Sequence, residues 1–339
     1  MVSNPNPEPP ADRILLVCHA GSALGVGHLG RLLALAVALG GTERTSQRFL
    51  IQGERVVRDD LSGFDHSFID LETNLLDAVI ADCDEFGPGV VVFDLHPKLL
   101  PAGFVAHSAE LRSRGIRVVG VDSLLQFCDS LDITWVPSLF VNGAELSRCA
   151  GTVHWGWDSF LISKRLATGE WSPGARVLVL TGGSDVTNQH ATLPRLLDDR
   201  LPDRTRVGWV SGPFAGAPDL PKEPRLDWTV HEAPSGLDEL ISESDYAITV
   251  FGVTLFELLQ YGIPTVVFSP YEDRELPELA SVAAAEVAVV ADGPDTAVAE
   301  LGSLMSDDDR ARMYSRAALE RMADNGADRL AGLIHSLSE

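Results

Sequence analysis

Short runs of β-branched and aliphatic residues recur along this chain of 339 residues, each followed by a longer amphipathic stretch. That alternation leaves little choice but βα units on parallel sheets. The first run is Arg13 to Cys18 (RILLVC), followed by a loop to Gly27 and a helix predicted from about His28 to Leu39. Gln47 to Gln52, Val90 to Phe93, Val118 to Val121 and Ile133 to Val136 continue the series. The stretch from Gly169 to Gly174, with Pro and Gly, reads as a linker end. A second series then opens at Val177 to Leu180 and runs through Arg206 to Val210, Asp227 to Val230, Tyr246 to Val250, Thr265 to Phe268 and Val287 to Val290. Two such series predict an α/β chain of two Rossmann-like doubly wound domains. Ligands bind beyond the C-terminal ends of such strands, so an interdomain cleft is the expected site. The expected boundaries are a polar, disordered leader over 1–12, a first domain over 13–165 and a second over 166–339 with terminal helices. Ser306 is expected to cap a helix carrying Asp307, Asp308 and Asp309 in its first turn, and Asn325-Gly326 to stop it before a final helix to about Leu337.

Charge narrows the partners. Forty-nine acidic residues against 26 basic ones give a net charge of −23, which repels phosphate backbones and anionic headgroups. Nucleic acid and membrane surfaces are therefore not expected. An anionic ligand must be held locally, by backbone N–H groups, helix N-termini or a few arginines, since lysine occurs only at positions 98, 164 and 222. The four cysteines are 65, 45 and 21 residues apart, which fits neither a zinc site nor a redox pair, and buried reduced thiols are expected. The first ten residues have no basic or apolar region, and apolar runs such as Leu32 to Leu39 are far shorter than a membrane span. These features lead us to expect a soluble, cytoplasmic protein.

Three loops carry chemistry. Gly21 to His28 lies between a strand and a helix, with Gly25 and Gly27 permitting close backbone approach and His28 at the helix N-terminus. The positive helix end disfavours a charged imidazole, so His28 is suited to act as a base, the alternative being a turn cap. Gly25, Gly27 and Gly30 also match the spacing of a dinucleotide fingerprint, but Gln52 and Gly53 end the second strand where an acidic residue is needed, so no nicotinamide or flavin cofactor is expected. Thr181-Gly182-Gly183-Ser184-Asp185 follows a strand, with Asn188 predicted to open a helix, and exposes N–H groups to a phosphate or simply turns the chain. Gly252-Val253-Thr254 ends a strand and starts a helix at Thr254, with Glu257 one turn on. Their N–H groups suit a diphosphate and Glu257 suits ribose hydroxyls, unless Glu257 is the capping-box partner of Thr254. Asp82-Cys83-Asp84 lies at the end of an amphipathic stretch and is not read as a metal site. His19 is either a second polar group near the loop or a structural histidine.

The combination of Gly25-x-Gly27-His28-x-x-Arg31, Gly182-Gly183-Ser184-Asp185 and Gly252-x-Thr254-x-x-Glu257 with Gly262-x-Pro264 resembles the GT-B nucleotide-sugar superfamily. Within it the chain is most similar to the UDP-sugar hydrolases of pseudaminic acid biosynthesis and their spore-coat polysaccharide relatives, and more distantly to MurG-type transferases. The resemblance spans residues 13 to 335. It implies two Rossmann-like domains, no metal, and a nucleotide diphosphate held mainly by the second domain. His28 falls on the histidine that activates water in those hydrolases. Gly182 to Ser184 and Gly252 to Thr254 fall on the phosphate-facing turns, and Glu257 on the ribose acceptor. Asp94 ends a strand whose family pattern is Asp-x-Tyr, with His96 where the aromatic hydroxyl stands. Asp122 retains one carboxylate of an Asp-Asp turn. Trp155 to Ile162 occupies the place of an Arg-bearing motif and lacks the Arg. These departures lie on the sugar side and suit a different sugar or an acceptor other than water.

The resulting expectation is metal-independent transfer of a glycosyl group from a nucleoside diphosphate sugar, UDP favoured by the resemblance, to a small acceptor. His28, Asp94 and His96 are the expected catalytic residues. Gly25, Gly27, Arg31, Asp122, Gly182, Gly183, Ser184, Asn188, Gly252, Val253, Thr254 and Glu257 are expected on the donor. The alternatives are hydrolysis to free sugar and UDP, and a non-catalytic donor-binding subunit of a two-protein transferase.

Overall fold

The structure is a computed structural model that describes residues 13–40, 46–164, 166–185, 187–234, 236–269, 271 and 275–337. The expected leader over 1–12 lies outside these residues. The chain divides into two units, one of residues 1–161 with 326–339 and the other of residues 162–325.

The first unit is a parallel sheet of seven strands: β1 (Arg13–Ala20), β2 (Ser46–Gly53), β3 (Asp65–Ile69), β4 (Val90–Asp94), β5 (Arg117–Val121), β6 (Ile133–Val136) and β7 (Val153–Trp155). Their order across the sheet is β3-β2-β1-β4-β5-β6-β7. β1 is buried from Ile14 to Ala20 and β4 throughout, which is why both read as near-continuous apolar runs. Helices α1 (Gly27–Ala38), α2 (Leu75–Phe86), α3 (Phe104–Ser113) and the short α4 (Gly143–Leu146) connect the strands. Leu29, Leu32, Leu33 and Leu35 bury the apolar face of α1. Asn74 caps α2 by accepting from the N–H groups of Leu76 and Asp77.

The second unit repeats the plan with six parallel strands: β8 (Arg176–Leu180), β9 (Arg206–Ser211), β10 (Asp227–Glu232), β11 (Tyr246–Val250), β12 (Thr265–Phe268) and β13 (Val289–Ala291), in the order β10-β9-β8-β11-β12-β13. Its helices are α5 (Leu193–Arg200), α6 (Asp238–Ser242), α7 (Val253–Gln260), α8 (Leu276–Ala284), α9 (Pro294–Leu304) and α10 (Asp308–Arg321). Val179, Trp209, Ile248, Phe268 and Leu301 belong to one buried core cluster. Asp307, not the expected Ser306, caps α10, its carboxylate accepting from the N–H of Arg310. The last helix, α11 (Gly326–Ser336), belongs to the first unit, where it packs along α1, rather than to the second domain as its place in the sequence suggests.

Cysteine pairing departs from expectation. Cys128 and Cys149 form a disulfide that ties the 3₁₀ segment Asp122–Ser130 to the chain after α4. Cys18 and Cys83 are buried free thiols, and burial pushes both thiols up in pKa, Cys83 to about 12. Asp82 pairs with Arg48 and Asp84 with Arg114, so both carboxylates of the Asp-Cys-Asp triplet are committed to structural ion pairs. Among the described residues no helix is long and apolar enough to cross a membrane.

Candidate active site

In both sheets the strand order reverses beside the first strand of the unit, between β1 and β4 and again between β8 and β11. Such a reversal opens a crevice beyond the C-terminal strand ends, because the flanking connections leave to opposite sides.

In the first unit the crevice is filled by an imidazole, a carboxylate and a guanidinium. His28 lies in the first turn of α1, and Arg31 follows on the same helical face. Asp94 ends β4 and is fully buried. Asp94 Oδ2 accepts from Arg31 Nε at 2.8 Å, and its Oδ1 accepts from Arg31 Nη2 at 2.8 Å. His28 Nδ1 lies 2.8 Å from the same Oδ1 and 2.9 Å from Arg31 Nη2. Arg31 Nη2 also donates to Asp122 Oδ2 at 2.8 Å. The two Nη2 hydrogens are thus taken by two carboxylates. A lone pair on Nδ1 would face an ionised oxygen at 2.8 Å, so Nδ1 carries the proton and donates to Asp94. Nε2 is left with the lone pair, the form a general base requires.

Electrostatics agree with that assignment. Burial opposes ionisation of Asp94, but the Arg31 guanidinium and His28 outweigh it and bring its carboxyl down to about 2. Burial likewise opposes the charge on Arg31, and the Asp94 and Asp122 carboxylates outweigh it and raise its pKa. Asp122 follows β5 with φ of 62°, a left-handed conformation that non-glycine residues seldom adopt outside turns and functional sites. Arg31, expected on the donor, is bound to Asp94 and Asp122, and Asp122, also expected there, is bound to Arg31. Together His28, Asp94 and Asp122 offer three ligand atoms within 4.8 Å of one another, a set able to hold a metal ion, but Arg31 Nη2 stands among them.

Behind this group lies a second histidine. His19 is within β1, not beyond it, and is fully buried. Its Nδ1 accepts the backbone N–H of His96 at 2.9 Å, so its Nε2 carries the proton and donates to Gln52 Oε1 at 3.1 Å. Gln52 Nε2 in turn donates to the carbonyls of Asp70 and Thr73. Burial lowers the His19 pKa to about 4, against the raising effect of the Gln52 bond, so the ring is neutral. The Gln52 amide that stands in place of a ribose-binding acid is therefore a structural brace. The His96 ring meets His28 edge-on with centroids 5.8 Å apart, and its Nδ1 accepts from the Lys98 N–H at 3.3 Å. Burial and the neighbouring His28 and Lys98 lower its pKa. Gly25 closes a tight turn in which its N–H donates to the Gly21 carbonyl at 2.7 Å, and Gly27 is the first residue of α1.

In the second unit, the β8 turn and the start of α7 flank the crevice. Gly182 has φ of 89°, which favours glycine, and a Cβ at Gly212 would meet the Gly183 backbone at 2.5 Å. Asp185 accepts from the N–H groups of Gln189 and His190 and faces His190 Nδ1 at 2.7 Å, folding the turn back on itself. Asn188 opens only a 3₁₀ turn, Gln189–Ala191, and α5 begins at Leu193. Gly252 precedes α7, which starts at Val253 rather than Thr254, and no side chain caps it. Glu257 is thus the fifth helical residue, out of register for a capping box, and is half-buried. Thr254 Oγ1 lies 3.3 Å from Thr249 Oγ1.

Among the described residues, three buried hydroxyls here have no hydrogen-bond partner: Thr181 Oγ1, Ser184 Oγ and Ser211 Oγ. Buried polar groups are nearly always paired, so these three hydroxyls near the C-terminal ends of β8 and β9 are exceptions to that rule. Thr181 and Ser211 were not among the expected site residues. Their positions at the C-terminal ends of β8 and β9 are the sequence signal that points to them.

No family model matches the chain, and no curated protein matches it. Solved structures do. MurG from Acinetobacter baumannii superposes with a TM-score of 0.57 at 16% identity, covering 96% of this chain and 99% of that one. Phytolacca americana UGT2, in a complex with UDP-2-fluoro-glucose and pterostilbene, gives 0.60 at 13% identity, covering 96% and 100%. The glycosyltransferase VinC in complex with dTDP gives 0.61 at 14% identity, covering 96% and 99%. These likenesses establish the fold, two Rossmann-like units of the GT-B class.

Proposed function

We propose that the chain transfers a glycosyl group from a uridine or thymidine diphosphate sugar to a small hydroxyl-bearing acceptor. The observation that carries this reading is the 2.8 Å contact of His28 Nδ1 with the buried Asp94 carboxylate, which Arg31 holds ionised: it assigns the ring proton to Nδ1 and leaves Nε2 a lone pair. In the proposed reaction His28 Nε2 takes the acceptor O–H proton. The acceptor oxygen forms a bond to the anomeric carbon while the bond from that carbon to the diphosphate oxygen breaks, and its electron pair leaves with the diphosphate. Asp94 stabilises the imidazolium that results.

The second unit supplies the donor side. The leaving diphosphate gains negative charge, and uncapped N–H groups at the start of α7 with the glycine turn after β8 suit it without a metal ion. Thr181, Ser184 and Ser211 supply hydroxyl donors, and Glu257 suits ribose hydroxyls. Relatives of this fold hold UDP-2-fluoro-glucose and dTDP, in agreement with a nucleotide sugar as donor.

The test is incubation of the purified chain and His28→Ala with a panel of UDP and dTDP sugars, with and without alcohol acceptors, read by mass spectrometry. Acceptor-dependent release of nucleoside diphosphate, lost in the variant, is the expected result. Free sugar formed without an acceptor makes water the acceptor, the reading favoured by the sequence resemblance to UDP-sugar hydrolases. Absence of nucleotide-sugar binding overturns the proposal.

A further inference from the structure

Arg31 Nη2 stands among three side-chain atoms able to ligate a metal ion. Its Nη2 lies 2.9 Å from His28 Nδ1, 2.8 Å from Asp94 Oδ1 and 2.8 Å from Asp122 Oδ2. One imidazole and two carboxylates are a common donor set for a divalent transition metal. The guanidinium side chain is only 11% exposed and Asp94 is fully buried, so the positive charge is built into the fold rather than drawn from solvent. Its Nε and Nη2 hydrogens occupy both oxygens of Asp94 and one of Asp122.

We propose that Arg31 is the resident cation of this site, occupying the position a divalent ion would take between His28, Asp94 and Asp122 and holding His28 in its Nδ1–H form. Arg31 is thus a positioning residue. It bars divalent ions from a donor set that would otherwise bind them, and it keeps the imidazole from using Nδ1 as a metal ligand. A dissociable ion on Nδ1 would displace the proton that Asp94 holds there. The guanidinium cannot lose its own proton, and both Nη2 hydrogens are taken by Asp94 and Asp122, so it fixes the two carboxylates without donating into the imidazole. The kinetic meaning of this arrangement rests on His28 being the base, but the tautomer and the metal exclusion are properties of the resting protein and can be read without any substrate.

The experiment uses the full chain, with histidine ¹⁵N NMR to read the tautomer and Co²⁺ titration, followed by absorption, to read metal binding. In wild type the neutral His28 ring is expected to carry its proton on Nδ1 and not on Nε2, and no saturable Co²⁺ band is expected. Arg31→Ala is expected to bind Co²⁺ at least about tenfold more tightly than wild type, with loss of the His28 Nδ1–H signal on metal addition. Guanidinium ion added to Arg31→Ala is expected to compete with Co²⁺ and to restore the Nδ1–H signal. Arg31→Lys keeps a charge in place and is expected to exclude Co²⁺, which provides a folded comparison should the alanine variant unfold. Saturable Co²⁺ binding to wild type through His28, or an Nε2–H tautomer in wild type, overturns the proposal. So does an Arg31→Ala protein that folds and takes up no Co²⁺. A failed nucleotide-sugar assay leaves each of these readouts intact and counts against the proposed function alone.

Discussion

His19 Nδ1 accepts the backbone N–H of His96 at 2.9 Å, so a buried ring on β1 fixes the start of the segment that follows Asp94. The bond requires His19 to be neutral on Nδ1. Unfolded, the ring titrates at its ordinary 6.5, whereas folded it titrates at about 4. Between those values the unfolded chain holds the additional proton, so stability falls as pH drops through this window and is restored above it. The loss attributable to His19 is about 3 kcal/mol across the window. Urea unfolding of wild type and His19→Gln at neutral pH and at about pH 4.5 checks this. The wild type is expected to lose more stability than the variant, and equal losses would remove His19 from the account.

Sequence patterning located the site's framework better than its connections. Ile133–Val136, Tyr246–Val250 and Thr265–Phe268 match the predicted strands end to end, because central parallel strands are buried on both faces and leave continuous apolar runs. β3 (Asp65–Ile69) escaped notice because an exposed edge strand carries Asp, His and Ser, and β7 spans only three residues. His28 and the glycine turns were legible from local chemistry. The partners of Arg31 were not, since Asp94 and Asp122 lie 63 and 91 residues away and nothing local distinguishes a carboxylate-bound arginine from a phosphate-bound one. The allegiance of α11 and the Cys128–Cys149 pairing are likewise tertiary facts without a local sequence signal.

Ser184 and Gly182 separate ligand binding from folding in the β8 turn. Ser184 Oγ is buried without a partner among the described residues, so Ser184→Ala removes an unsatisfied group and is expected to leave unfolding free energy unchanged or raise it by up to about 1 kcal/mol. If that hydroxyl serves the diphosphate, the same variant binds nucleoside diphosphate about tenfold more weakly. Gly182→Ala places a Cβ on a residue with φ of 89° and is expected to cost roughly 1–2 kcal/mol of stability as well as affinity. Calorimetric titration with UDP and dTDP, beside thermal unfolding, distinguishes the two. A Ser184→Ala protein that is clearly destabilised would show that the hydroxyl has a structural partner after all.

The disulfide bears on the His28–Arg31–Asp94 group of the first unit through its position. It anchors the segment that begins with Asp122, the residue bound to Arg31, to Cys149 across a separation of 21 residues. Thiol titration of the protein denatured without reductant is expected to count two free thiols, Cys18 and Cys83, and after reduction all four. Cys149→Ser is expected to lower stability by about 3 kcal/mol, the closure entropy of a loop of this size. Four titratable thiols in the unreduced protein would contradict the pairing.

Asp94 distinguishes a working base from a buried polar cluster. In Asp94→Asn the amide cannot accept two charge-assisted bonds from Arg31 and also hold the His28 Nδ1–H, so the imidazole is free to turn its lone pair inward. The proposed reaction then loses its base, and turnover with a nucleotide sugar and its acceptor is expected to fall by a factor on the order of 10²–10⁴. Nucleoside diphosphate affinity is expected to be unchanged, because the turns after β8 and β11 are built without Asp94. His28→Ala is expected to match it in turnover, and the double variant to be little worse than either single one, since the two residues act as one unit. Steady-state kinetics of the three variants beside nucleotide titrations gives the answer: additive losses in the double variant would mean that Asp94 and His28 act separately, and the protonation derived from their geometry would then not be the basis of the chemistry.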